Sequence, residues 1–382
     1  MKKIYFAGLL YDNNLGDTAI LKSTEYLYKM ALNGHGNISY HHLNLNFNKT
    51  NLISRASRKF KRLFVSAVKK NTDRLTINML KKNYREQLES PDLIVFVGGG
   101  IIKYKYQSFH LFITALTELA EELGCPVVIN AAGVEGYSET DIRCQLLKKS
   151  LNKNIVKSIT TRDDIETLNS LYITNHKTHT AKVADPAVYC DEVYQIKKEV
   201  SEVFGIGLVR GGIFLDNERD LKPDEIAHFY SELILEMDKQ KLKYQLFTNG
   251  APADSELVEQ IEKNIGGKNL NVIEPHKDSD LISAISTFKG VVAARLHANI
   301  ISYALNVPSI GLVWNDKLTL FGADIGYPER FFEFDNLDAK KVVDALVLAA
   351  KQGYRTEQWL EYKLTAKSNI EVVVGKWLAG EI

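Results

Sequence analysis

Along nearly its whole length the chain alternates short apolar runs, each closing on glycine or a polar turn, with segments of helical periodicity. That alternation is the pattern of a parallel α/β sheet with right-handed crossovers, and it leaves little room for any other fold class. In the first half, Ile4–Leu10, Ile38–Leu45, Pro91–Val97, Val127–Ala131, Ser158–Thr161 and Ala181–Ala184 read as strands. Helices are expected over Thr18–Met30, Phe109–Leu123 and Ser138–Asn152, with a further one ending at Leu171. After a polar linker near Asp191–Val203 the pattern starts afresh, with strands at Phe204–Val209, Tyr244–Phe247, Asn271–Glu274, Val291–Ala294 and Ser309–Trp314. Pro223–Lys239, Ala253–Asn264 and Asp278–Phe288 are the helices between them, and Asp338–Ala350 and Thr356–Leu378 read as two more at the end. A chain of 382 residues suits two domains of ordinary size. We expect 1–192 to form the first, carrying a basic helical insert at 49–88, 203–352 the second, and 353–382 a closing helix.

Composition excludes several classes. No stretch reaches the roughly 18 consecutive apolar residues of a membrane span, and the short run Ile4–Leu10, without a small-residue cleavage site, reads as a strand rather than a signal peptide. Cys125, Cys144 and Cys190 stand far apart, which indicates neither a disulfide framework nor a zinc site and points to a reducing, cytoplasmic compartment. The net charge of +1 hides an asymmetry: Lys49–Arg85 holds twelve Lys or Arg against Asp73 alone, so it carries +11 and the remainder 1 − 11 = −10. Phe60, Leu63, Phe64, Ala67 and Val68 form an apolar stripe within it, which suits a helix on an anionic bilayer, over an anionic substrate, or packed on the domain beneath. No nucleic-acid motif accompanies the charge.

The chemistry gathers in Gly290–Asp316, where a strand runs into Arg295 and His297 at the start of a helix. Ligands of open α/β sheets sit at the carboxyl ends of strands, and an anion there meets a guanidinium, helix N–H groups and an imidazole. The bland alternative is that Arg295 pairs with a local carboxylate and His297 caps its helix. Arg210 and Asn249 close other strands of the same half. In the first half, Asn14 and Asp17 follow the first strand and Gly98-Gly99-Gly100 the third, where glycine allows a ligand or another backbone to approach closely. Asp17 equally suits the cap of a helix beginning at Thr18.

Four motifs in this order resemble the polysaccharide pyruvyltransferase family: Asn14-Leu-Gly-Asp17-Thr-Ala-Ile20, Gly98-Gly99-Gly100, Thr161-Arg162-Asp163 with Asp185-Pro186, and Arg295-Leu296-His297-Ala298 followed by Ala304–Pro308. The resemblance implies two Rossmann-like domains facing a cleft, similar to B-type glycosyltransferases, with the C-terminal helix crossing back to the first domain. It also implies phosphoenolpyruvate as donor and a sugar diol of a cell-surface glycan, or its lipid-linked precursor, as acceptor. Carried onto this chain, it makes His297 the general acid or base and Arg295, Leu296, Arg210 and Lys317 the donor site. Asn14, Asp17 and Gly98–Gly100 would then lie on the acceptor side. We expect Arg162–Asp163 and Asp185–Pro186 to be structural. No cofactor or metal is called for, since cationic side chains can neutralise the leaving phosphate.

Rival readings of the same architecture are a B-type glycosyltransferase or sugar-nucleotide epimerase, with Asn315-Asp316 pressed into ribose binding, and a non-catalytic glycan-binding protein.

Overall fold

The computed structural model describes residues 1–10, 14–46, 67–105, 107–214, 221–334 and 337–382. Their contacts divide them into two compact units: one of Met1–Leu10, Tyr28–Val183 and Asn369–Ile382, the other of Tyr11–Leu27 and Ala184–Ser368.

The first unit is built on a six-stranded sheet. In chain order its elements are β1 (Lys2–Gly8), α1 (Leu15–Ala31, whose earlier turns belong to the second unit), β2 (Ile38–Asn44), α2 (Ala67–Gln87), β3 (Leu93–Val97), β4 (Ile102–Lys103), α3 (Phe109–Leu123), β5 (Val127–Ala132), β6 (Val134–Glu135), α4 (Ile142–Leu151), β7 (Val156–Thr161) and β8 (His179–Lys182). The main sheet runs β2-β1-β3-β5-β7-β8 and β4 pairs with β6, every pairing parallel. Central strands buried on both faces should be continuously apolar, and Leu93–Val97 is buried throughout. On α3, Ile113, Leu116 and Ala120 recur at helical spacing and join Ile94, Phe96 and Ile129 in one core. Gly124 ends that helix at φ 66°, its N–H returning to Ala120 and Glu121 carbonyls.

The described part of the basic segment is α2, whose Ile77, Leu80 and Tyr84 are buried in the same core. Its outer cations are partly neutralised: Arg74 and Lys81 meet Glu118 at 2.7 and 3.4 Å, and Arg85 meets Glu122. Phe60, Leu63 and Phe64 lie outside the described residues, as do the side chains of Ala67 and Val68.

The second unit repeats the plan: β9 (Val203–Gly207), α5 (Pro223–Lys239), β10 (Lys243–Phe247), α6 (Val258–Asn264), β11 (Val272–Ile273), α7 (Asp278–Ser286), β12 (Val291–Ala293), α8 (Leu296–Ala304), β13 (Ser309–Val313), α9 (Asp316–Asp324), β14 (Phe331–Glu333), α10 (Ala339–Gln352) and α11 (Thr356–Leu378), the last entering the first unit from Asn369 onward. Its sheet runs β11-β10-β9-β12-β13-β14, again all parallel. Alternation along β12 shows how it is sandwiched. Val292 faces the cluster of Ile206, Leu233 and Leu346, whereas Val291 and Ala293 face Leu281, Ile285 and Ile301. Pro223 at the first helical position and Glu225 bonding back to the Lys222 N–H (2.8 Å) fix the start of α5.

Numbering this unit's strands from its own start gives the order 3-2-1-4-5-6, the dinucleotide-fold order, whose switch point falls between β9 and β12. Because all strands are parallel, their carboxyl ends share one edge. Among the described residues no helix is long and apolar enough to cross a membrane.

Candidate functional site

The carboxyl edge of the second unit's sheet carries the expected donor residues, the two arginines flanking its switch point. Arg210 follows β9, Arg295 follows β12, and Lys317 follows β13 as the second residue of α9. Arg295 is the N-cap residue of α8, at φ −78° and ψ 125°, with no side-chain capping bond of its own. Its loop is held on three sides. Trp314 Nε1 donates to the Ala294 carbonyl at 2.7 Å, and the buried Asn299 amide donates to the carbonyls of Ala293 and Arg295, each at 3.0 Å.

The Arg295 guanidinium does pair with a local carboxylate. Nε donates to Asp254 Oδ2 at 3.1 Å and Nη2 to Asp254 Oδ1, and the carboxylate is fully buried while 25% of the arginine side chain stays accessible. Two of the five guanidinium N–H donors are thereby engaged, which leaves three for a ligand. The same Oδ1 accepts the Arg210 N–H at 3.2 Å, so one carboxylate ties together the loops that flank the switch point. The Arg210 side chain is half-buried, and Gly211 N–H donates to Glu256 at 2.7 Å.

His297, the second residue of α8, is not a cap. Its side chain is 9% accessible, and Nε2 stands 3.9 Å from Asp185 Oδ2, itself 1% exposed. The other Asp185 oxygen accepts the Ala187 N–H at 2.8 Å and so fixes the carboxylate. On its opposite side the imidazole lies over Gly16: a Cβ there would sit 2.2 Å from Nδ1. Only glycine leaves room for that ring. Leu296, half-buried, opens the helix; the first N–H to bond back is that of Ala298, to Arg295 (3.1 Å). The N–H groups before it have no intrahelical acceptor, which makes a helix start suited to an anion.

The helix carrying Gly16 begins at Leu15, three residues before the expected Thr18, because Asn14 takes the capping position and the Asp17 N–H returns to its carbonyl at 3.1 Å. Asp17 therefore lies inside the first turn, where its carboxylate accepts the Asn14 amide at 3.0 Å. Contacts group Asn14 and Asp17 with Arg295 and His297, in the second unit. Two polar contacts seat this end of α1 in that unit: Lys22 pairs with Asp278 at 2.6 Å and Tyr26 donates to Glu192 at 3.1 Å.

Gly98–Gly100 belong to the first unit. Gly99, at φ 73°, accepts the Gly133 N–H at 2.8 Å, and a Cβ on Gly133 would meet Gly100 Cα at 3.1 Å. The close approach seen there is of one backbone to another. Asp163 locks the neighbouring turns by accepting from Val134 N–H (2.9 Å), Thr161 Oγ1 (2.8 Å) and Asp164 N–H (2.8 Å).

Sequence reasoning missed Asp254, one of four acids inside a segment read as helix, and took Asp185 for a turn residue only. Both carboxylates stand against expected site residues, Asp254 against Arg295 and Asp185 against His297. Among the described residues, no group of three or more His, Cys, Asp or Glu is placed to hold a metal ion.

A family model described as polysaccharide pyruvyl transferase matches residues 14–316. No curated protein matches. Among solved structures, the UDP-GlcNAc 2-epimerase of Methanocaldococcus jannaschii is similar at 13% identity, with 98% of this chain and 99% of that chain covered and a TM-score of 0.60. The UDP-GlcNAc 2-epimerase of Neisseria meningitidis is similar at 12% identity, with both chains covered at 100% and a TM-score of 0.55. A UDP-glucosyltransferase from Polygonum tinctorium is similar at 9%, with 99% of each chain covered and a TM-score of 0.52. At these identities the likeness is one of fold, the two-sheet plan of B-type glycosyltransferases.

Proposed function

We propose that this chain, which belongs to the polysaccharide pyruvyl transferase family, moves a pyruvyl group from phosphoenolpyruvate to two hydroxyls of a glycan or lipid-linked precursor. The observation that carries this reading is the juxtaposition, at one switch point, of a guanidinium fixed by a buried carboxylate and an imidazole beside a second carboxylate. Phosphoenolpyruvate presents a carboxylate and a phosphate. Arg295 and Arg210 suit its two anionic ends, with the α8 start and Lys317 assisting. The C3 methylene takes a proton and becomes methyl, which leaves C2 electrophilic. One acceptor hydroxyl adds to C2, the C2–O bond to phosphate breaks, and the second hydroxyl closes the ring. Of the two hydroxyl protons, one balances the proton delivered to C3 and the other leaves with phosphate. His297 is the group that passes the proton, a contribution of order 10² to 10⁴ in rate, and the Asp185 carboxylate stands beside its ring.

Calorimetry with phosphoenolpyruvate and with UDP-sugars tests the reading. We expect phosphoenolpyruvate to bind and the nucleotide sugars not to; the reverse would assign the site to nucleotide-sugar chemistry. His297→Ala should keep donor affinity within about threefold while turnover falls at least 10²-fold. Near-normal turnover in that variant removes His297 from the mechanism.

A further inference from the structure

We infer that Asp254 is the positioning residue of the donor site, a role that rests on the reading above and deepens it. The carboxylate is fully buried, sits in the short turn after β10, and lies 41 residues from Arg295 in sequence. A buried carboxylate needs partners, and this one has the Arg295 Nε–Nη2 fork together with the Arg210 N–H. Its Oδ1 accepts from both loops, so it sets the spacing between the two arginine positions across the switch point.

The geometry also selects which edge of Arg295 meets a ligand. With Nε and one Nη2 hydrogen held by Asp254, both Nη1 hydrogens and the second Nη2 hydrogen remain. They form the end-on edge, whose two parallel donors match two oxygens of a carboxylate or phosphate. Without Asp254 the guanidinium is free to rotate about its long stem, and its fork no longer faces one direction. Asp254 touches no substrate in this scheme and acts through Arg295.

The test pairs a ligand-dependent measurement with a ligand-free one. Asp254→Asn should raise the KM and Kd for phosphoenolpyruvate about 10- to 100-fold, the range for losing a charge-assisted hydrogen bond, and leave the acceptor KM unchanged. In an Arg295→Ala background the same substitution should cause no further loss, because its effect is transmitted through that side chain. Independently, phenylglyoxal labelling of Arg295, mapped by peptide mass spectrometry with no ligand present, should run at least about fivefold faster in Asp254→Asn than in the native protein, as expected for a guanidinium released from a charge-assisted pair. Should Asp254→Asn fail to fold, Asp254→Glu keeps the charge on a longer arm, and the same donor KM increase is expected. A folded variant with native donor affinity and native labelling overturns the inference. If the native protein binds no phosphoenolpyruvate, the donor reading fails on its own, and the labelling rate alone decides for or against Asp254.

Discussion

Gly16→Ala is the substitution whose effect follows most directly from the geometry of the site. The new methyl would lie 2.2 Å from His297 Nδ1, 2.3 Å from Cγ and 2.5 Å from Cβ. Ordinary carbon contacts fall at about 3.5 to 4.0 Å, so the ring and the α1 backbone must separate by more than about 1 Å. Two stability effects oppose each other. Alanine is a better helix residue than glycine by about 0.5 to 1 kcal/mol, while overpacking costs about 1 to 3 kcal/mol. The net loss is therefore at most about 2.5 kcal/mol. If His297 passes the proton as proposed, turnover is the more sensitive readout, because misplacing a reacting group by about 1 Å costs on the order of 10²-fold. Phosphate release from phosphoenolpyruvate with a sugar diol acceptor measures it, alongside thermal denaturation. Gly34→Ala is the matched control: at φ 84° an alanine is strained, yet nothing lies within 4 Å of its Cβ, so it should lower stability and leave turnover alone. Turnover of Gly16→Ala within about threefold of the native rate, where about 10²-fold is due, would refute the claim that this glycine seats the imidazole.

Two further outcomes are expected. Asp141 caps α4 by accepting Arg143 N–H at 2.8 Å, and the Arg143 guanidinium beside it holds its carboxyl down to about 2. Its contribution is therefore complete above the unfolded value of about 3.9 and disappears as pH falls through the folded one. Asp141→Ala should cost about 1 kcal/mol at neutral pH in denaturant titrations, and the gap to the native protein should close between pH ~4 and pH ~2; a gap independent of pH would contradict the assignment. Cys125, Cys144 and Cys190 are all buried and unpaired, and burial pushes the Cys125 thiol up to about 12. Dithionitrobenzoate at pH ~8 should leave the native protein unreacted and titrate all three thiols after unfolding; fast reaction of any one in the native state would place it nearer the surface.

Local periodicity carried most of the architecture. Phe109–Leu123, Pro223–Lys239 and Thr356–Leu378 fold over the spans read from sequence, the first signalled by a glycine stop, the second by a proline start and the third by its apolar residues alone. The misses share a cause, which is distance along the chain. Leu168–Tyr172 forms a π-turn instead of continuing a regular helix, and the Tyr172 hydroxyl donates to Gly136 at 2.7 Å, 36 residues back. The helix Asp316–Asp324 and the edge strand Phe331–Glu333 went unread; Phe331 fills the space that Gly311 and Gly322 leave, a complementarity no short window contains. At the site, Arg295 and His297 were legible because a strand end and a helix start announce them. Asp254 was not, since its reason for being buried lies in a guanidinium 41 residues away.

Neither unit is a continuous stretch of polypeptide, and this bears on how the molecule is made. His179 contacts Asn369, and Trp377 Nε1 donates to the Asp92 carbonyl at 3.2 Å, both inside the unit that holds the N-terminal strand. A nascent chain emerging from the ribosome thus has its first sheet long before it has the segment that seals it. The opening unit must wait, incompletely clad, for Asn369–Ile382 to be synthesised, a topology that favours slow maturation and dependence on chaperones.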